Sequence, residues 1–311
     1  MQAFRNLFLT IIVSTQVAAA ERSDYLHSGN QIVFLGDSIT AAGDFIAIVD
    51  AQLRIAYGED IPDLINLGLP SETCTGLSEP EHPFPRPDVH ERLDRALEKS
   101  IPDVVVACYG MNDGIYYPFD QQRFEAYQAG IRKIVSKVEA AGAKCLLLAP
   151  PPFDPQPFRK AGKLLPKGAE KYAWFAIYEG YDRVIQRYAD WVTSDLSLGV
   201  QTVNAHDPIR DYLSEIRKDQ PDFAMSTDGV HMNRDGHRLI AHTLLREWGV
   251  PITEDLPETL VDLTHQRHQI LHDSWLSHVG HKRPGGKEGL PLLEAEKRAI
   301  GIEVRIRRQL P

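Results

Sequence analysis

The chain has 311 residues, 43% of them hydrophobic and 25% charged, and a formal net charge of -9. That length holds one large α/β domain, or one domain with an appendage. The acidic balance argues against phosphate backbones and anionic membrane surfaces, so no nucleic-acid partner is expected.

Residues 1–20 have the form of a signal peptide: Arg5, a short apolar core from Leu7 to Val13, then Ala18, Ala19 and Ala20. This predicts a secreted or periplasmic protein with no membrane span after cleavage, because later segments lack eighteen consecutive uncharged apolar residues. The three cysteines are Cys74, Cys108 and Cys145. Cys108 and Cys145 lie in apolar runs and are expected to be buried and inert. Cys74 lies in a loop and is read as a bystander.

The first apolar run, Gln31–Leu35, ends at Gly36 and predicts a buried strand, followed by a helix over 44–57. A second strand is expected over 63–67, ending at Gly68, then a helix over 88–99. Asp103–Cys108 predicts a third strand ending at Tyr109-Gly110, followed by a helix over 120–141. Lys144–Ala149 is a fourth strand, closed by Pro150, Pro151 and Pro152. A helix over about 172–192, a strand over 200–204 and a helix over 234–247 complete the series. The domain is therefore placed at 21–250. A helical C-terminal extension, 251–311, is expected to pack on it, with helices at 257–278 and 291–309 and a turn-rich break between them.

Short strands apolar on both faces, alternating with helices, indicate a three-layer α/β/α sandwich around a mainly parallel, five-stranded, flavodoxin-like sheet. Ligands in such sheets bind at the carboxyl ends of the strands. Gly36, Gly68 and Gly110 should thus border one crevice.

Four fragments with chemical potential fall at these places. Gly36-Asp37-Ser38 puts a hydroxyl at a strand-to-helix turn, with Asp37 holding the turn. Asn66-Leu67-Gly68 ends the second strand, where a glycine lets a backbone N–H approach a reacting carbonyl. Gly110-Met111-Asn112 ends the third, where an amide side chain can donate into the crevice. Asp228-Gly229-Val230-His231 precedes a helix that Asn233 can cap. Three residues apart, the Asp can accept from the imidazole, and the His can act as general base towards Ser38. Each fragment alone is also a common cap or turn. Their joint order is what carries chemistry.

Over about residues 30–248 this arrangement resembles the SGNH, or GDSL-type, hydrolase family. The resemblance implies a serine esterase with Ser38, Asp228 and His231 as catalytic residues. It implies an oxyanion hole formed by the Ser38 and Gly68 N–H groups and the Asn112 amide, and it requires no metal or organic cofactor. Met111 departs from the small polar residue usual in the family. Asp37, Met111, Tyr116 and Tyr117 are candidate substrate contacts. The expected reaction is hydrolysis of a small-molecule or glycan carboxylic ester, with carbohydrate O-deacetylation favoured by analogy. Lipase, thioesterase or acyltransferase activity with the same triad is the alternative, then a non-catalytic carbohydrate-binding scaffold.

Two segments stand outside the repeat. Residues 150–171 are rich in Pro and Lys and leave a strand's carboxyl end. Either they form a solvated loop, or Arg159 and Lys160, with Trp174 and Phe175, line an opening that favours a sugar, including an anionic one. His265, His268 and His272 have helical spacing, but no Cys or carboxylate clearly completes a metal site. The Gly280-to-Pro284 loop either approaches the crevice or covers the sheet.

Overall fold

The computed structural model describes residues 22–310. The expected signal segment, 1–20, lies outside them. In chain order the elements are β1 (Gln31–Gly36), α1 (Ser38–Ala42), α2 (Asp44–Tyr57), β2 (Asp63–Asn66), α3 (Val89–Ser100), β3 (Val104–Cys108), α4 (Gln121–Ala140), β4 (Lys144–Leu148), α5 (Pro155–Lys160), β5 (Leu164–Leu165), β6 (Ile177–Tyr178), α6 (Tyr181–Ser194), β7 (Gln201–Val203), α7 (His206–Asp219), α8 (Arg234–Glu247), α9 (Glu258–Val279) and α10 (Leu292–Arg307).

Five strands form one parallel sheet in the order β2-β1-β3-β4-β7. Phe34 pairs with Asn66 on one side and Val106 on the other, and Leu148 pairs with Val203. The Val104-Val105-Val106 run explains the centre of the sheet. β-Branched side chains suit a pleated surface, and all three are buried because helices cover both faces. The strand order reverses between β1 and β3, which makes their carboxyl ends the topological switch point.

Helix boundaries follow local chemistry. The Asp88 carboxylate accepts from His90 N and starts α3, while Asp120 accepts from Arg123 N and starts α4. Asn233 accepts from both Asp235 N and Gly236 N at the start of α8.

The structure departs from the sequence reading in two places. The helix expected from about 172 begins only at Tyr181. Ahead of it, Ile177 N donates to Lys163 O, Glu179 N to Leu165 O and Tyr178 N to Tyr116 O. Those amides are committed to the β5–β6 pairing and to the loop after β3, so residues 172–180 cannot join a helix. The Pro- and Lys-rich segment is likewise ordered, containing α5 and β5. Second, α7 has no counterpart in the sequence reading. It buries only His206, Ile209 and Leu213, a sparse apolar signal. Its start is marked by Asn204, whose Oδ1 accepts from His206 N and Asp207 N.

The last two helices fasten to α2. Thr264 Oγ1 donates to Ala47 O at 2.9 Å. Arg54 bridges Asp50 at 2.6 Å and Glu303 of α10 at 2.6 Å, and His268 Nε2 lies 2.9 Å from Asp50 Oδ2. Burial works against the Asp50 carboxylate, but Arg54 and His268 outweigh it and hold its pKa well below the ordinary range. At the other end of α9, Arg95 donates to Val279 O and Gly280 O, satisfying carbonyls that a helix terminus leaves open. No helix among the described residues is long and apolar enough to cross a membrane.

Candidate active site

β1 turns into α1 through Gly36. A Cβ there would sit 2.2 Å from Thr40 Oγ1 and 2.8 Å from Cys108 O, so a side chain would push α1 off the sheet. Asp37 is the helix cap, its Oδ1 accepting from Ile39 N at 2.9 Å. Ser38 follows as the first residue of α1.

His231 Nε2 lies 2.8 Å from Ser38 Oγ, and His231 Nδ1 lies 2.6 Å from Asp228 Oδ2. Three donors orient the Asp228 Oδ1 atom: His231 N at 2.8 Å, Val230 N at 3.0 Å and the Ser226 hydroxyl at 2.9 Å. The tight turn between the two residues depends on Gly229, at φ 70°. A Cβ at Gly229 would stand 2.1 Å from Asp154 O. With Nδ1 donating to the carboxylate, Nε2 is left to accept from the serine hydroxyl.

The electrostatics follow from these contacts. The hydrogen bond to Asp228 raises the His231 pKa, against the opposing effect of burial. Burial pushes the Asp228 carboxyl up, but the His231 hydrogen bonds win and hold it well below the usual carboxylate range. Asp37 behaves differently: burial lifts its pKa to about 7, partly offset by the Ile39 amide.

Asn112 comes from the loop after β3. Tyr116 Oη donates to its Oδ1 at 2.9 Å, which fixes the amide with Nδ2 turned to the other side. Nδ2 makes only long contacts, 3.2 Å to Glu72 O and 3.4 Å to Asp37 Oδ2. Ile115 and Tyr116 have φ of 47° and 63°, left-handed conformations that cost non-glycine residues of the order of 1–2 kcal/mol each. Tyr178 N, bonded to Tyr116 O, helps hold them there.

Gly68 is not placed as the sequence reading expected. Its N–H donates to Asn66 Oδ1 at 2.9 Å, and its carbonyl accepts from His272 Nε2 at 2.8 Å. A Cβ on it would lie 2.3 Å from Ala41 N. Glycine is therefore required here by the close crossing of α1, and its amide is already used. Ser71, three residues on, is the residue of this loop that carries an uncommitted amide. It has φ 69°, lines the cavity beside Ser38, and its N–H has no hydrogen-bond partner among the described residues. Nothing in the local sequence announces this, because the residue in the left-handed conformation is not a glycine.

Ser38, Ser71, Asn112, Tyr116, Asp228 and His231 open on one cavity of about 410 Å³. Phe84, Phe158, Trp174 and Phe175 form its apolar walls, and Arg86, Lys163 and Arg283 its cationic ones. Trp174 and Phe175 are 48% and 46% exposed, unusually open for their size. Of the proposed substrate contacts, Tyr116 lines this cavity. Asp37 is a buried cap, and the Met111 carbonyl accepts from Tyr181 Oη at 2.6 Å. Tyr117 packs on Tyr172, with ring centroids 4.9 Å apart. These three do not line the cavity. Arg159 faces a separate surface groove, and Lys160 pairs with Asp222 at 2.7 Å. The sequence reading missed Ser71, Arg86 and the wall residues Phe84 and Phe158; it left Arg283 undecided.

A larger cleft of about 820 Å³ lies between α1 and the C-terminal helices, without Ser38 or His231 in its lining. The three helical histidines have separate partners: His265 meets Ala42 O, His268 meets Asp50 and His272 meets Gly68 O. Among the described residues no group of three or more His, Cys, Asp or Glu is arranged to hold a metal ion. Cys74 is buried, and burial raises its thiol pKa well above the ordinary value.

A hydroxyl, an imidazole and a carboxylate in series, at the switch point of the β2-β1-β3-β4-β7 parallel sheet, define a serine-hydrolase type of site on a flavodoxin-like scaffold. Residues 34–239 match the family described as GDSL-like Lipase/Acylhydrolase, and the chain belongs to that family as an ester-hydrolysing enzyme of the SGNH type. It is 24% identical to an acetylxylan esterase from Geobacillus stearothermophilus over 243 residues, 71% of this chain and 95% of that protein. The crystal structure of Axe2, an acetylxylan esterase from the same organism, superposes with a TM-score of 0.50 at 21% identity, covering 73% of this chain and 97% of the other. Further structures of Axe2 are described as catalytic mutants in which a serine, an aspartate or a histidine is replaced by alanine. A gut microbial diltiazem-metabolizing enzyme superposes with a TM-score of 0.54 at 20% identity, over 72% of this chain. The chain spans about half the length of that enzyme, 47%.

Proposed function

We propose that this enzyme removes short acyl groups, acetyl foremost, from an O-acylated carbohydrate by way of an acyl-Ser38 intermediate. The observation that carries the proposal is the Ser38–His231–Asp228 hydrogen-bonded chain at the floor of a small cavity rimmed by Trp174 and Phe175. His231 takes the Ser38 proton as Oγ attacks the ester carbonyl. The oxyanion is received by the N–H groups of Ser38 and Ser71 and by Asn112 Nδ2, each donor worth about 2.7–4 kcal/mol in comparable sites. His231 then protonates the leaving alcohol, and water hydrolyses the acyl-serine with His231 again as base. The two exposed aromatic faces suit stacking on sugar rings. The esterase activity in the name of the Geobacillus relative supports the same choice. The small cavity, with cationic as well as apolar walls, disfavours long-chain lipids. The features of residues 1–20 support action outside the cytoplasm.

The test is acetate release from a panel of acetylated oligosaccharides, set beside p-nitrophenyl esters of increasing chain length. Activity should be highest on acetylated sugars and fall beyond short acyl chains. A rate that climbs to long acyl chains would instead support a lipase.

The pH profile follows from the site. The working base is neutral His231, so kcat/KM should rise with pH and level off above an apparent pKa higher than the ordinary histidine value of about 6.5. Asp37, whose pKa lies near 7, adds to that elevation in so far as it is ionised. Asp37→Asn should therefore move the rising limb to lower pH. Steady-state kinetics from pH 5 to 9 measure the shift, and an unmoved or upward-moved limb contradicts it.

A further inference from the structure

The walls of the catalytic cavity carry an unbalanced positive charge in a chain whose formal net charge is -9. Three permanent cations line it: Arg86, Lys163 and Arg283. Among the described residues its one carboxylate is Asp228, engaged by His231. Arg86 is neutralised by Glu79 through two hydrogen bonds of 2.7 Å, both side chains buried. Lys163 and Arg283 have no carboxylate partner among the described residues. Several neighbours in sequence do: Lys160 pairs with Asp222, Lys171 with Glu81, Lys282 with Glu91 and Lys287 with Asp273. Lys163 and Arg283 are thus unneutralised cations on the cavity wall.

Arg283 is also held in place. Its Nε donates to Pro70 O at 2.9 Å and its Nη1 to Pro284 O at 3.1 Å, with the guanidinium 5.2 Å from the Phe84 ring centroid. Nη2 has no partner among the described residues, which leaves donors in a fixed plane. Pro70 O belongs to the peptide whose N–H is that of Ser71, so this guanidinium polarises the proposed oxyanion donor from the carbonyl side. Lys163 reaches the cavity from the α5–β5 loop, with its ammonium 5.8 Å from the Phe158 ring centroid. The Gly280-to-Pro284 loop therefore brings a cation to the site.

We infer that Lys163 and Arg283 form an anion subsite, and that the acylated saccharide carries a negatively charged group close to the ester, a uronate carboxylate or a sulfate ester. This rests on the esterase reading above and narrows its substrate class. A pre-positioned, half-buried guanidinium beside an aromatic wall gives an anion a partly desolvated partner, which strengthens the attraction over that in bulk water, and the exposed Lys163 ammonium adds a second positive charge.

The experiment compares kcat/KM for three O-acetylated oligosaccharides of equal length: one neutral, one bearing a uronic acid and one bearing a sulfate. The wild-type protein should prefer one or both charged substrates by roughly tenfold or more, mainly through KM. Raising the salt from about 50 to about 500 mM should erode that preference, because the attraction is screened. In Lys163→Gln/Arg283→Gln the charged-to-neutral ratio should fall towards one, whatever the absolute rate, and Arg283→Lys should restore part of it. The carboxylate and sulfate arms separate the two sources of charge. A wild-type ratio near one, or a ratio unchanged in the double variant, overturns the anion subsite. Failure of the wild type to release acetate from any of the three, or from p-nitrophenyl acetate, overturns the esterase reading itself.

Discussion

Ser38→Ala should lower kcat/KM for ester hydrolysis by about 10⁴-fold or more while leaving the fold intact. The size follows from chemistry: without Oγ there is no acyl-enzyme, and only binding and oxyanion stabilisation remain to help water attack. The intact fold follows from the position. Ser38 Oγ has one hydrogen-bond partner, His231 Nε2 at 2.8 Å, and bears no part of the turn, which rests on Gly36 and on the Asp37 cap. His231→Ala should cost a similar factor, and combining the two should cost little more, because the residues act as one unit. Steady-state kinetics on p-nitrophenyl acetate, with a melting curve for each variant, separate this from unfolding. Wild-type turnover in the Ser38→Ala variant would contradict the acyl-serine mechanism.

Arg92→Ala should destabilise the protein by about 3–5 kcal/mol, a large share of the stability of a domain. Arg92 and Glu72 are both buried, joined by Nε–Oε1 at 2.6 Å and Nη2–Oε2 at 2.7 Å. Arg92 Nη2 also donates to Leu67 O at 2.6 Å, and Tyr109 Oη to Glu72 Oε2 at 2.7 Å. Removing the guanidinium leaves a carboxylate sealed in the interior. Burial already presses the Glu72 pKa upward, and Arg92 is its principal opposition. In the variant Glu72 should take up a proton on folding. With a folded pKa above the unfolded one, the stability deficit should be smaller near pH 5 than near pH 8. Replacing both partners, as Arg92→Met with Glu72→Gln, should recover much of the loss. Urea denaturation gives the measurement: a lower midpoint at unchanged slope supports the account, and a deficit under about 1 kcal/mol contradicts it. This network also holds the loop of the proposed oxyanion donors. The Ser71 amide immediately precedes Glu72, and Glu72 O touches Asn112 Nδ2 at 3.2 Å. Turnover should therefore fall further than the unfolded fraction explains.

Much of the scaffold was legible because a doubly covered parallel sheet writes a simple signal. Runs such as Val104–Cys108 are apolar on both faces and end in glycine. Ser38, Asn112, Asp228 and His231 could be located because each stands at a strand end or before a helix, where side chains are exposed to the crevice. Gly68 shows where such reading stops. A glycine needed so that α1 can cross closely looks the same in sequence as one that frees an amide for a substrate. The distinction lies in the third dimension, in Ala41 N and in the Asn66 side chain that accepts from the Gly68 N–H. Ser71 was hidden for the opposite reason: it holds a left-handed conformation without the residue that usually marks one. Trp174 and Phe175 could be named as lining an opening, but the start of α6 and the placing of Lys163 and Arg283 on the same wall depend on pairings between distant segments. No local periodicity encodes those.

A Ser38 hydroxyl activated by His231 should react with a fluorophosphonate, and intact-mass analysis after incubation tests this most directly. One adduct per wild-type chain is expected, mapped by peptide digestion to Ser38 and absent from Ser38→Ala. An unlabelled wild-type protein, or an adduct that persists in Ser38→Ala, would contradict it.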